Sequence, residues 1–174
     1  LSLIGHSVAG VRTAICVPEW NLTLDVAQGF SWMAPLEHFF ISHGHMDHAG
    51  GLPYVLSQKG LQNLKSAHLY LPASLIDPMD RILNIWAEIE GYKMSYELHS
   101  VTDQKEFHIG KNKIVKSFST KHRIESYGYS LIEKKKKLKK EFQHLSQNEI
   151  KNLIQQNTKN ISLTEDFKQI LLSF

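Results

Sequence analysis

The chain has 174 residues, with 20 Lys+Arg against 17 Asp+Glu, 10 His, a single Cys and 42% hydrophobic residues, for a net charge of +3. This is the composition of one globular domain, long enough to bury a core without disulfides and too aromatic and too nearly neutral for a disordered chain. No stretch free of Asp, Glu, Lys and Arg exceeds eleven residues, which excludes a membrane-spanning helix, and the opening Leu1 to His6 lacks the flank and cleavage pattern of a secretory signal. A cytoplasmic, reducing setting follows as the expectation, with Cys16 between Ile15 and Val17 as a buried apolar residue.

Taken in order, Thr13 to Val17, Leu22 to Val26 and His38 to Ile41 are short apolar runs between Pro18, Asn21, Gly29 and Pro35, and read as strands. Asp47 to Gln58 carries Leu52, Val55 and Leu56 at helical spacing, with an irregular start at Gly50, Gly51 and Pro53. His68 to Leu71 reads as a strand. Asp77 before Pro78 has the form of an N-cap, and Met79, Ile82, Leu83, Trp86 and Ile89 make one apolar stripe that ends near Gly91. Met94 to Val101, Phe107 to Ile109, Lys113 to Phe118 and Tyr127 to Glu133 follow as strands. Beyond them Lys134, Lys135, Lys136, Lys137, Lys139 and Lys140 form a basic block, expected as a charged helix or arm. Ser146-Gln147-Asn148-Glu149 has the spacing of a capping box, so a short helix should start at Gln147, its apolar face Ile150, Leu153 and Ile154. The run from Phe167 to Phe174 reads as a final strand.

Chemistry concentrates in His43-Gly44-His45-Met46-Asp47-His48, three imidazoles and a carboxylate within six residues, directly after Phe39-Phe40-Ile41. In extended backbone residues i and i+2 point to one side, so His43 and His45 can share a metal ion. Asp47 and His48, where the chain turns into a helix, can reach a second ion beside it. Imidazole and carboxylate are ligands for zinc, with manganese or iron suited to the same donors. His6, His38, His68, His99, His108 and His144 stand alone in the sequence, and packing or surface roles are expected for them.

With its strand before and helix after, the motif resembles the His-x-His-x-Asp-His signature of the metallo-β-lactamase superfamily. Lys121-His122-Arg123-Ile124-Glu125-Ser126-Tyr127-Gly128-Tyr129 is similar to a segment of ribonuclease Z (tRNase Z) and its near relatives, where a histidine precedes an aromatic-Gly-Tyr strand. The resemblance covers most of the chain and implies an α/β fold, the αββα sandwich of that superfamily and mainly its N-terminal half. Two mostly antiparallel sheets would face each other, with the site at a sheet edge. Residues 1–133 would carry the motif, and 134–174 a basic helical connection and the start of the next strand of the same domain.

The resemblance makes His122 the third imidazole on the first of two zinc ions, with Asp47 both a metal ligand and the catalytic proton acceptor. It implies endonucleolytic removal of the 3′ trailer from tRNA precursors by a metal-dependent phosphodiesterase, and a homodimer. The bridging aspartate that the family presents in a Gly-Asp-Thr context, and its final histidine, have no counterpart up to Phe174, and Asp166 in Thr164-Glu165-Asp166-Phe167 does not match. A truncated copy, inactive by itself, is therefore expected. Two other readings stay open: a hydrolase of this fold acting on a small ester, thioester or phosphodiester, and an inactive RNA-binding or interaction fragment.

Overall fold

The computed structural model describes residues 1–156 and 164–173. Among the described residues ten strands form two sheets. The first has six strands, β1 (Ile4–Val8), β2 (Arg12–Val17), β3 (Leu22–Leu24), β4 (His38–Phe40), β5 (Ala67–Pro72) and β6 (Tyr96–Val101), lying side by side in chain order. β1, β2 and β3 pair antiparallel, whereas β3 to β6 pair parallel, so this sheet is mixed where antiparallel pairing was expected. The parallel pairs need crossovers: residues 25–37, with one short 3-10 turn, carry β3 to β4, the helices α1 (Met46–Ala49) and α2 (Leu52–Leu61) lie between β4 and β5, and α3 (Ile76–Glu90) lies between β5 and β6. The second sheet is antiparallel throughout, β7 (Glu106–His108), β8 (Lys113–Ser119), β9 (Tyr127–Leu138) and β10 (Thr164–Ser173) in the order β10-β9-β8-β7. A fourth helix, α4 (Gln147–Gln156), lies between β9 and β10 in the chain.

Strand alternation sorts the side chains of the first sheet into two cores. Phe39, Ile41, Leu69 and Leu71 face α2 and α3, where Leu52, Val55, Leu56, Met79 and Leu83 meet them. Leu22, Leu24, Phe40, Tyr70 and Val101 face the second sheet and pack on Phe107, Val115, Tyr127, Tyr129 and Leu131. These are the helix, sheet and sheet layers of a sandwich, and the apolar runs of its parallel strands are buried on both faces.

Several expectations take a different form. Ile4–Val8 is a strand although Gly5, His6 and Ser7 break any apolar alternation, and every one of its residues is exposed. The single helix expected from Asp47 to Gln58 is two. At the joint a Cβ on Gly51 would lie 1.9 Å from the Gly29 nitrogen, so only glycine lets the start of α2 lie against residues 26–29, where Gly51 N donates to Ala27 O at 2.9 Å. α3 begins one residue before Asp77 with Leu75 at its N-cap, leaving Asp77 in the first turn, where a carboxylate still complements the helix dipole. Its stripe is split, Met79 and Leu83 inward and Ile82, Trp86 and Ile89 exposed. Gly91 ends it in the left-handed region, as expected. The capping box forms, with Ser146 N and Oγ donating to Glu149 Oε2 at 2.8 and 2.7 Å; the Ile154 side chain lies outside what is described.

The lysine block is strand, not helix, from Lys134 to Lys137, while Lys139 and Lys140 lie just past the strand, Lys140 in a short 3-10 turn. β9 pairs with β8 only as far as Glu133, and from Lys134 to Leu138 it pairs with β10 alone, so the lysines ride a two-stranded ribbon that extends past the sheet. The boundary drawn at residue 133 therefore falls inside a continuous strand. β10 matches the expected last strand from Phe167 to Ser173, while Phe174 lies outside the described residues.

Candidate metal centre

The histidine motif follows β4, an interior strand of the first sheet, so it stands at the carboxyl ends of the parallel strands and not at a sheet edge. Four hydrogen bonds hold this segment from both sides. Ile41 N donates to Tyr70 O at 2.9 Å and Asp25 N to Phe40 O at 2.8 Å, while from the second sheet Tyr127 N donates to Ser42 O at 3.0 Å and Tyr129 Oη to Ile41 O at 2.7 Å. The Tyr-Gly-Tyr strand thus fastens one sheet to the other directly beneath the histidines. His45 is the extended N-cap residue of α1, its carbonyl accepting from His48 N and Ala49 N, which turns the chain and brings Asp47 and His48 to the same side.

His43, His45 and His122 converge. His43 Nε2 lies 3.1 Å from His45 Nδ1, and His122 Nε2 lies 3.4 Å from the same atom. Two ligands of a tetrahedral zinc ion with bonds of about 2.0 to 2.1 Å stand about 3.3 to 3.4 Å apart. The three ring nitrogens therefore fit one cation. Burial, with His48, His122 and His45 beside it, lowers His43 to about 4, so its lone pair is free at neutral pH.

Beside this group His48 Nε2 lies 3.5 Å from Asp47 Oδ2, a separation that also suits two donors to one ion. The other nitrogen of His48 is occupied. Its Nδ1–H donates to Asp25 Oδ2 at 2.7 Å, and that hydrogen bond raises the His48 pKa. Asp25 also accepts from Ser42 N at 2.7 Å and from Ser42 Oγ at 2.8 Å. Burial pushes the Asp25 carboxyl up, but with three donors aimed at it the carboxylate is the form the site is built around. Since the Ser42 hydroxyl gives its proton to Asp25, its oxygen accepts from His43 Nδ1 at 2.9 Å, which leaves His43 Nε2 facing the other imidazoles. One buried carboxylate thereby sets the tautomers of two histidines, the second-sphere arrangement that orients metal-binding imidazoles.

His122 arrives on the loop between β8 and β9. Thr120 N donates to Ser126 O at 3.0 Å and closes that loop at its base. Glu125 ties it down, accepting from Ser74 N at 2.9 Å and from Tyr127 Oη at 2.8 Å. Arg123 Nη2 lies 3.4 Å from His45 Nε2 and sets a positive charge on the rim.

All five expected site residues, His43, His45, Asp47, His48 and His122, thus lie in one cluster around His43 and His48. Sequence reasoning missed Asp25, Ser42, Glu125 and Arg123. Asp25 had a signal, a lone carboxylate inside the apolar run Leu22 to Val26. Glu125 and Arg123 had none, since Ser74, which Glu125 holds, and His45, beside Arg123, lie 51 and 78 residues away.

The two sheets, their parallel crossovers and the histidine cluster after β4 give the chain the metallo-β-lactamase fold, and its sequence is similar to proteins named ribonuclease Z. The chain belongs to the family described as Anti-Pycsar protein Apyc1, whose model matches residues 22–166. It is 36% identical over 149 residues to tRNase Z TRZ1 of Arabidopsis thaliana, covering 86% of this chain and 53% of that protein. It is 29% identical over 149 residues to the nuclear ribonuclease Z of Triticum aestivum, covering 86% of this chain and 85% of that one. The crystal structure of human tRNase Z, short form (ELAC1), superimposes with a TM-score of 0.59 at 22% identity, over 76% of this chain and 64% of that one. The chain thus spans about half the length of the Arabidopsis relative.

Proposed function

We propose that this protein contributes the histidine-rich part of a metal-dependent phosphodiesterase site that acts on tRNA precursors and releases the 3′ trailer. The observation that carries this reading is the convergence of His43, His45 and His122 at ligand-to-ligand distances, supported by relatives named tRNase Z and ribonuclease Z. In this reading His43 Nε2, His45 Nδ1 and His122 Nε2 hold one cation and Asp47 and His48 reach a second. Zinc ions in such a pair lower the pKa of water and polarise a phosphoryl group. Asp25 and Ser42 keep the imidazole lone pairs facing inward. Asp47 takes the proton of the attacking water, and Arg123 meets the negative charge of the phosphodiester at the rim. The lysines of the β9–β10 ribbon hold the remaining phosphates of the RNA. Asp47 and His48 leave the second ion with open coordination, so turnover by residues 1–174 alone is expected to be slow.

A second reading, hydrolysis of a small phosphodiester, draws on one observation, that the matching family model is named for an anti-Pycsar protein and not for tRNA processing. One experiment separates the two. The zinc-loaded protein is offered a tRNA precursor and, in parallel, bis(p-nitrophenyl) phosphate, and binding and cleavage are both followed. The proposal expects tight tRNA-precursor binding and slow trailer release that a chelator or H43A/H45A abolishes. Turnover of the small substrate without tRNA binding would favour the second reading, and neither would overturn both.

A further inference from the structure

His68, Glu97 and His99 form a second group of metal donors at the other end of the first sheet. His68 and Glu97 are directly paired across β5 and β6, and His99 follows two positions along β6 on the same face. His68 Nδ1 lies 3.2 Å from His99 Nε2 and 3.3 Å from Glu97 Oε2, and the third edge, His99 Nε2 to Glu97 Oε2, is 3.9 Å. The first two distances are close to the separation of about 3.3 to 3.4 Å between ligands of tetrahedral zinc, and the last needs only a small adjustment of an exposed glutamate. Hydrogen bonding within the group accounts for less. A single N–H on His68 Nδ1 can satisfy His99 or Glu97, not both.

The rings are also held in place. His68 stacks on His38 with centroids 5.2 Å apart and planes 18° apart, and His99 stacks on Tyr70 at 4.7 Å and 19°. Tyr70 Oη and His38 Nδ1 meet at 3.1 Å and join the two stacks. Both imidazoles are about one third exposed and Glu97 is open to solvent, so a fourth ligand, water, has access. Lone histidines in the sequence, these residues are brought together only by the pairing of β5 with β6.

We infer that His68, Glu97 and His99 form a separate binding site for a borderline divalent cation, of which zinc is the representative, that clips the edge strand β6 to β5. Two imidazoles and one carboxylate favour zinc, copper or nickel over calcium or magnesium. The site lies where β4, β5 and β6 begin, whereas the centre described above lies where β4 ends, so the two bind independently. Zinc therefore raises the thermal midpoint of a protein whose first centre has been removed.

The test uses H43A/H45A, which lacks two ligands of the first centre, and measures retained zinc after equilibrium dialysis against a micromolar zinc buffer. One ion per chain is expected in H43A/H45A, and none once H99Q is added. In the unsubstituted protein, a zinc titration followed by histidine ring NMR should shift the His68 and His99 signals, which checks the site without any substitution. The inference is overturned if H43A/H45A retains no zinc, if H99Q leaves the count unchanged, or if the His68 and His99 signals do not move. None of these outcomes depends on the substrate assigned to the first centre.

Discussion

Asp25 shows how much of the proposed metal centre rests on a residue outside the motif. Its carboxylate takes hydrogen bonds from His48 and twice from Ser42, and Ser42 in turn fixes His43. Asp25→Asn can place an amide N–H against one of these donors, so the inward tautomers are no longer enforced. Second-sphere substitutions of this kind cost about 10- to 100-fold in metal affinity; competition with a chromophoric chelator should show a loss in that range for Asp25→Asn, with the far-UV spectrum unchanged. His38 and His43 also give the metal-free protein a pH-dependent contribution, opposite in sign to that of His48, whose pKa is raised. Burial, and for His38 the neighbouring His68, lowers both His38 and His43 from an ordinary value of 6.5 to about 4. Between those values the unfolded chain binds protons that the folded chain refuses, so these two groups stabilise the fold above pH 6.5 and that contribution is lost as pH falls toward 4. Thermal midpoints measured in chelator across this window should fall less steeply with acidification in H38Q, and in H43Q, than in the unsubstituted protein.

At the scale of single elements, β9 does two jobs at its two ends. Its buried start, Tyr127 to Tyr129, anchors the loop that carries the histidines, and its exposed end carries lysines on a ribbon with β10. Tyr129→Phe removes the hydroxyl that Ile41 O accepts from. Leaving a buried acceptor without that partner costs about 1 to 3 kcal/mol, which urea unfolding should show with an unchanged m-value. At the other end, K135A/K137A/K139A should weaken binding of tRNA about equally for different trailer sequences and lower the log–log salt slope by about 0.7 to 0.9 per lost phosphate contact. An unchanged slope would assign the lysines to a solvated surface. Elements of this kind differ in how openly the sequence announces them. The helix ending at Gly91 and the capping box at Ser146 are local, set by residues within one turn, and they form where expected. The lysine strand is not local, because its conformation is imposed by pairing with β10 roughly thirty residues on, and neither lysine propensity nor spacing encodes that partner. β1 was hidden for the same reason, an exposed strand held by its ladder with β2.

For the whole molecule, the layers follow from apolar alternation and crossover helices, both of which can be read from the chain, while the parallel order of β3 to β6 emerges only when the crossovers are built. The motif residues His43, His45, Asp47 and His48 were legible because they are neighbours, and His122 because its strand resembles a known one. Asp25, Glu125 and the pair His68 and His99 acquire meaning only from distance in space. The described helices include none long and apolar enough to cross a membrane. What unites the fold is the joint at Ile41 and Ser42, where both sheets, the Asp25 loop and α1 meet beneath three imidazoles. The most direct test of this account is X-ray absorption at the zinc edge on H68Q/H99Q protein loaded with one equivalent of zinc, which isolates the first centre. The account expects three imidazole nitrogens at about 2.0 to 2.1 Å, falling to two when His122→Gln is added. A first shell without imidazole, or one that His122→Gln leaves unchanged, would contradict it.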